Sequence, residues 1–190
     1  MENERRFLEV SELRVIGDDD KPKTIRGYAA VFNKLSENLG GFREKIAKGA
    51  FTATLERGDD VRALFNHDSS QVLGRTAAGT LKLEQNTKGL KVDIKPPDTQ
   101  VSRDLLVSIE RGDISAMSFG FRTVSDSWET KNKEEIRTLI EVDLFDVSPV
   151  TYPAYTDTTV AVRSMEQAKE AREPKTLEIQ RMRLRLAEIE

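Results

Sequence analysis

The chain contains no cysteine and a single histidine, His67, and these two counts restrict both its fold and its chemistry. Without cysteine there are no disulfides, thiolate zinc sites, iron–sulfur clusters or cysteine nucleophiles. One imidazole excludes every site that needs two imidazoles from the same chain. The fold must therefore be held together by its apolar core, and any imidazole chemistry falls to His67.

Length and charge narrow the class of protein further. The 190 residues are enough for one substantial domain with or without an appendage, and the charged fraction of 33% predicts a highly solvated surface or tail. A net charge of -3 argues against nucleic acid as a partner. No apolar run resembles a signal peptide or a membrane span, which predicts a soluble, cytosolic-type protein without a membrane partner. Phosphate-loop and dinucleotide motifs are absent, so we expect no cofactor and no metal.

The apolar pattern predicts a chain rich in short strands. Alternating residues bounded by Gly, Pro, Asn and Asp indicate strands over residues 7–16, 24–32, 61–65, 80–84, 89–94, 114–124 and 136–147. The last two should form a long antiparallel hairpin, separated by the polar segment 125–135 and ended by Pro149 and Pro153. Helical spacing predicts one helix within residues 42–57, ending near Gly58, and another over residues 99–111, followed by Gly112.

The last part of the chain differs from the rest. Residues 164–190 carry six basic and six acidic side chains, so the segment is dense in charge and neutral overall. A helix beginning near Thr176 would place Ile179, Met182, Leu186 and Ile189 on one face. We therefore divide the chain into a body, residues 1–163, and a charged amphipathic helical tail, residues 164–190. The tail helix is expected to pack on the body, to bind a partner or to associate with itself.

Three positions could supply hydrolytic chemistry. Ser118 lies within a predicted strand two residues before Gly120, where a backbone can approach closely. His67 follows a strand end and is the one imidazole available as a base. Asp146 interrupts the apolar run of residues 144–147, where a carboxylate needs a partner. Asp143 and Glu141 are alternatives to Asp146. Alternation puts these two carboxylates on one strand face and Asp146 on the other unless a bulge intervenes, and the residues alone do not decide which face meets His67.

An ordered set of motifs resembles the prohead proteases of tailed bacteriophages, over about residues 6–163. The matching blocks are GYAAVFN at residues 27–33, GAF at 49–51, LFNHD at 64–68, LGRT at 73–76, GTL at 79–81, RGDISAMSFGF at 111–121 and LFDVSPVTYPAY at 144–155. Any one block is weak evidence, whereas their order is specific.

The resemblance implies a fold and an activity. The family is related to herpesvirus assemblins, which implies an α+β fold with a mostly antiparallel β-barrel surrounded by short helices. It implies a serine endopeptidase that cleaves scaffold protein, or the scaffold-like arm of the capsid protein, and often itself. The enzyme would act in the host cell cytoplasm inside the assembling prohead, where it would self-associate.

The resemblance also assigns roles to residues. Ser118 is the implied nucleophile and His67 the implied base. Assemblins use a second histidine as the third member, which this chain lacks, and Asp146 lies where that histidine falls. Backbone amides and an arginine, for example Arg163, are candidates for the oxyanion hole.

Two other functions remain open at this point. A non-catalytic structural protein of virion assembly with a related barrel fold is the main alternative, and it would not need the Ser118/His67 pair. An esterase using the same residues is less favoured, because no Gly-x-Ser-x-Gly elbow surrounds Ser118.

Overall fold

The computed structural model describes residues 3–8, 12–17, 22–152 and 159–172. The chain divides into two compact units, Met1–Asp157 and Thr158–Glu190. Within the first unit, the strands are β1 (Glu4–Leu8), β2 (Arg14–Ile16), β3 (Thr24–Val31), β4 (Phe42–Ile46), β5 (Arg62–Phe65), β6 (Asp68–Arg75), β7 (Leu81–Gln85), β8 (Gly89–Ile94), β9 (Ala116–Lys131) and β10 (Glu134–Val150). The helices are α1 (Thr52–Arg57), α2 (Gln100–Arg111) and, in the second unit, α3 (Thr159–Arg172).

The strands of the first unit form two sheets. One sheet has the order β1-β9-β10-β5-β6, with β4 also paired to β10, and the other has the order β2-β3-β8-β7. The predicted α+β class is confirmed, but within the described residues these sheets are open and the predicted barrel is not seen. The sheets are also not wholly antiparallel, since β4 and β5 both run parallel to β10. No helix in the described part of the chain is long and apolar enough to cross a membrane.

The core lies between the two sheets and the short helices, and its strands follow the predicted alternation. Leu90, Val92 and Ile94 of β8 are fully buried, as expected for one face of the β7–β8 hairpin. Phe51, Phe119 and Phe121 form a connected aromatic group at the centre of this core. Burial of such rings supplies much of the stabilisation that a chain without disulfides requires.

The helix predicted over residues 99–111 is confirmed. The Thr99 hydroxyl accepts a hydrogen bond from the Ser102 amide at its start, and Gly112 ends it with a φ of 81°. Such a left-handed residue suits glycine, because it lacks the Cβ that would clash there. Leu105 and Ile109 are buried, whereas Val101, which lies at the same helical spacing, is 39% exposed.

The prediction for residues 42–57 was only partly right. The helix is confined to α1, Thr52–Arg57, and does end at Gly58. Phe42, Glu44 and Ile46 instead alternate into the interior as β4. Pairing with β10 satisfies the β4 backbone and overrides the helical spacing of the apolar residues.

Two other boundaries also differ from the prediction. The polar segment 125–135 is not a separate connection, because β9 and β10 remain paired until a turn at Asn132 and Lys133, which both have positive φ. Paired strands whose side chains face solvent need no apolar residues, because hydrogen bonds between their backbones hold them together. In place of the one strand predicted over residues 7–16, the structure has two, β1 and β2. β2 pairs with β3, whereas β1 pairs with β9 in the other sheet. Pro149 lies inside β10 rather than ending it, and Pro153 lies outside the described residues.

The helix predicted near Thr176 also lies outside the described residues. The structure does describe α3, which begins before residue 164 and runs from Thr159 to Arg172.

A cluster of buried charges joins four strands of the larger sheet. Arg137 donates to Glu4 at 2.7 Å, to Glu44 at 3.1 Å and to Asp126 at 2.6 Å. Arg6 donates to Glu44 at 2.8 Å and to Glu4 at 2.7 Å. These five residues, Glu4, Arg6, Glu44, Asp126 and Arg137, form the buried ion cluster, which ties β1 and β4 to the β9–β10 pair.

The cluster keeps the carboxylate of Glu4 ionised although this residue is buried. Burial is the largest single influence on the pKa of Glu4, and it raises this pKa. The hydrogen bond and charge of Arg137 and the charge of Arg6 together outweigh burial, so the pKa of Glu4 lies below its ordinary value. Burial likewise disfavours the charged form of Arg137, yet the opposing carboxylates raise its pKa. Removing one member therefore leaves unpaired charge in a dry environment.

Replacing Arg137 should destabilise the fold strongly. Arg137→Met removes the cation that binds the buried carboxylates of Glu4 and Glu44, and we expect a loss of about 3–5 kcal/mol in the free energy of unfolding. Urea denaturation measures this loss. Arg103→Met is the matched control, because Arg103 pairs with Asp98 at the surface and should change stability by less than about 1 kcal/mol. Equal effects of the two substitutions would contradict the role of the cluster.

Acid should weaken the same cluster. Because the native pKa of Glu4 lies below the ordinary value of 4.5, its stabilisation is complete above that pH and is lost as the pH falls through the lowered native pKa. The stability difference between the wild type and Glu4→Gln should therefore stay constant above about pH 5 and shrink as the pH falls below about 4.5. Urea denaturation along this pH series checks the trend, and a difference that stays constant at low pH would contradict it.

Candidate active site

Ser118, His67 and Asp146, the three predicted catalytic residues, are in direct contact. The Nε2 atom of His67 lies 2.6 Å from the Ser118 Oγ. The Nδ1 atom of the same ring lies 2.5 Å from Oδ1 of Asp146. The three side chains come from β9, the β5–β6 turn and β10, and the strand order brings these elements together.

His67 is positioned by a tight turn. Asn66 and His67 connect β5 to β6 with φ values of 53° and 58°, a pair of left-handed residues typical of a two-residue hairpin. The backbone N–H of Asn66 donates a hydrogen bond to the Pro149 carbonyl at 3.0 Å, and the Oδ1 atom of Asn66 accepts one from the backbone N–H of Thr151 at 2.8 Å. These bonds fasten the turn to the end of β10, so the imidazole is held over the β9–β10 pair.

Asp146 reaches the same face of the sheet as Ser118 because of a β-bulge. Leu144 pairs with Phe121, whereas Asp146 pairs with Gly120, so Phe145 is the additional residue. In regular pairing, Asp146 would share the face of buried Leu144. The extra residue turns Asp146 to the face that carries Ser118 and Gly120.

Gly120 makes room for this carboxylate. A Cβ atom at residue 120 would overlap Oδ2 of Asp146, so only glycine fits opposite Asp146 in this arrangement. The glycine was expected to admit a substrate backbone, and the structure assigns its open space to the Asp146 side chain instead.

The two alternative carboxylates are arranged differently. Asp143 forms ion pairs with Arg57 and Arg122, both at 2.6 Å, and the Arg122 hydrogen bond is the largest influence holding the pKa of Asp143 below its ordinary value. Glu141 pairs with Ser125 on β9, further along the hairpin. The carboxylate in contact with the imidazole is therefore Asp146.

The Ser118 hydroxyl has a second acceptor that the sequence did not indicate. It donates to the backbone carbonyl of Arg6 at 2.9 Å, on β1, where Phe7 is the register partner of Ser118. A hydroxyl has one proton, so it can point to the Arg6 carbonyl or to His67, not to both. Strand β1 thus borders the serine on the side opposite β10, and Ser118 is only 4% exposed.

Ser148 is the other neighbour that the sequence analysis missed. Its hydroxyl donates to Oδ1 of Asp146 at 2.9 Å and lies 3.3 Å from Nδ1 of His67. Its spacing of two residues from Asp146 on a strand was the available signal, because such residues share a face.

Two further expectations concern other parts of the chain. Arg163 lies on α3, in the second unit, and its part in an oxyanion hole stays a prediction. Among the described residues, no group of His, Asp and Glu side chains is arranged to hold a metal ion.

Comparison with known proteins gives a family and one structural likeness. The chain is similar to the structure titled "Structure of the bacteriophage T4 capsid assembly protease, gp21", with 14% identity, a TM-score of 0.49 and coverage of 78% of this chain and 99% of that chain. A search of curated proteins found no match. Residues 9–172 match the family described as caudovirus prohead serine protease. Because this match covers most of the chain, the protein belongs to the caudovirus prohead serine protease family.

Proposed function

We propose that this chain is a serine endopeptidase with Ser118 as nucleophile, His67 as general base and acid, and Asp146 as the residue that orients the imidazole. The observation that carries the proposal is the continuous contact from Ser118 through His67 to Asp146. Membership of the protease family supports the type of reaction.

The geometry suits acyl transfer by a nucleophilic serine. When the Nδ1–H group of His67 donates a hydrogen bond to Asp146, Nε2 carries the lone pair and can accept the Ser118 proton. Ser118 Oγ then attacks the peptide carbonyl, and the proton passes from Nε2 to the leaving amine. A water molecule, activated by the same nitrogen, hydrolyses the acyl-enzyme and regenerates Ser118.

The Arg6 carbonyl affects the first of these steps. A Ser118 proton that points to Arg6 is not available to Nε2, so attack requires the hydroxyl to rotate toward His67. A substrate carbonyl must also reach Oγ on a side that β1 leaves open. We propose that substrate binding favours the rotated hydroxyl.

The proposed substrates are the scaffold protein or the scaffold-like arm of the capsid protein, and the protease itself. Action would take place inside the assembling prohead in the host cell, with self-association of the protease there. Family membership supports a role in capsid maturation, and these particular substrates are our proposal.

Substitution of the triad tests the assignment. Ser118→Ala should abolish cleavage of co-expressed capsid or scaffold protein and labelling by a fluorophosphonate probe, because the attacking oxygen is lost. Asp146→Asn should lower kcat by about 10³- to 10⁴-fold, since it favours the wrong imidazole tautomer.

The two alternative carboxylates provide matched controls for this test. Asp143→Asn and Glu141→Gln should lower kcat by less than about 10-fold, because neither residue contacts His67 in the structure. A selective collapse at residue 143 or 141, with Asp146→Asn active, would overturn the assignment of Asp146. Wild-type processing by Ser118→Ala would overturn the proposed function.

Gly120→Ala tests the space required by Asp146. The added methyl group would displace the carboxylate from His67, so we expect a loss of kcat approaching that of Asp146→Asn, with the fold retained. Gly27→Ala is the control for adding a methyl group to a strand glycine, because its Cβ would make tight contacts of 3.3 Å with Leu13 and Met117 without touching the Asp146 carboxylate. Full activity of Gly120→Ala would contradict the packing of Asp146 over Gly120.

A further inference from the structure

Ser148 is a buried serine that has no part in the reaction proposed above. It lies on β10 directly opposite Ser118, and its side chain is inaccessible to solvent. A buried hydroxyl is costly unless it is hydrogen-bonded. Among the described residues, the partners of the Ser148 hydroxyl are Asp146 and His67.

The hydroxyl contacts both atoms of the bond that orients the imidazole. Its one proton is donated to Oδ1 of Asp146, the same oxygen that faces Nδ1 of His67. Its lone pairs therefore remain available to the Nδ1–H group, 3.3 Å away. Ser148 thus closes a triangle with the carboxylate and the ring.

This triangle restricts how Asp146 can turn. A carboxylate held by one donor can rotate and present either oxygen, whereas two donors converging on Oδ1 hold that oxygen in place. The other oxygen, Oδ2, packs over Gly120. The side chain is thereby held by its hydrogen bonds at one oxygen and by packing at the other.

We propose that Ser148 is a positioning residue of the active site, which fixes Asp146 and, through it, the Nδ1–H tautomer and orientation of His67. The proposal rests on the proposed protease function and adds a fourth side chain to it. Ser148 does not reach the reacting atoms by itself, and its effect is transmitted through Asp146.

Kinetics of Ser148→Ala provide the first test. With a peptide that contains a cleaved bond of the capsid or scaffold protein, kcat should fall by about 10- to 100-fold, the effect of losing a hydrogen bond to a charged group, while KM stays unchanged. The control is Ser102→Ala, another buried serine, whose hydroxyl contacts Thr99 in the cap of α2. It should leave kcat unchanged.

A double-mutant cycle tests whether Ser148 acts through Asp146. In an Asp146→Asn background, Ser148→Ala should have little further effect on kcat, because the group that it orients is already altered. Multiplication of the two losses would overturn the proposed route of action. If Ser148→Ala fails to fold, Ser148→Cys tests the same point, since a thiol is a much weaker donor of similar size.

The single histidine allows a readout that does not depend on activity. The Nδ1–H proton of His67 is the one imidazole resonance of its kind, so its NMR signal needs no assignment among histidines. Ser148→Ala should shift or broaden this signal through faster exchange with water, and Ser102→Ala should not. An unchanged signal in folded Ser148→Ala would overturn the proposal whatever the activity. Failure of the wild type to cleave would instead overturn the proposed function, and the NMR comparison would still decide the role of Ser148.

Discussion

The pairing of β9 with β10 is the interaction on which the rest of this structure depends. These two strands carry Ser118, Gly120, Asp146 and Ser148, and each of the other strands of the larger sheet except β6 pairs directly with one of them. The register shift between Leu144 and Asp146 decides which side chains reach the active-site face. Without that extra residue, the aspartate would point into the apolar core.

The buried ion cluster connects this pair to the edge of the sheet. Arg6 takes part twice, because its guanidinium binds Glu4 and Glu44 while its carbonyl accepts a hydrogen bond from the Ser118 hydroxyl. Electrostatic attachment of β1 therefore sets the position of the Arg6 carbonyl beside Ser118, the proposed nucleophile. Buried ion pairs add little net stability compared with apolar residues, but the loss of one partner is costly, which favours a single placement of the strand.

Several elements were predictable because local pattern and tertiary pairing agree. The cap residues and the apolar face of α2 are both readable from its own short stretch of sequence. The β7–β8 hairpin likewise shows alternating apolar and polar residues on both sides of its turn. Residues 42–46 were misassigned because their strand depends on β10, which lies some 90 residues later. The continuation of β9 and β10 through polar residues 125–135 was missed for a similar reason, since backbone pairing rather than apolar burial maintains it.

The sequence by itself determined which residues are available for catalysis. With one histidine and no cysteine, it restricted the base to His67, and the family motifs indicated Ser118 and Asp146. The residues without the resemblance left Asp146, Asp143 and Glu141 open. The tertiary structure puts Asp146 against the imidazole, because a bulge and the arginines around Asp143 depend on long-range contacts. It alone brought the Arg6 carbonyl and the Ser148 hydroxyl to the site. The contacts of the Arg6 carbonyl with Ser118 and of Ser148 with His67 join residues distant in the chain, and no local pattern of side chains encodes them.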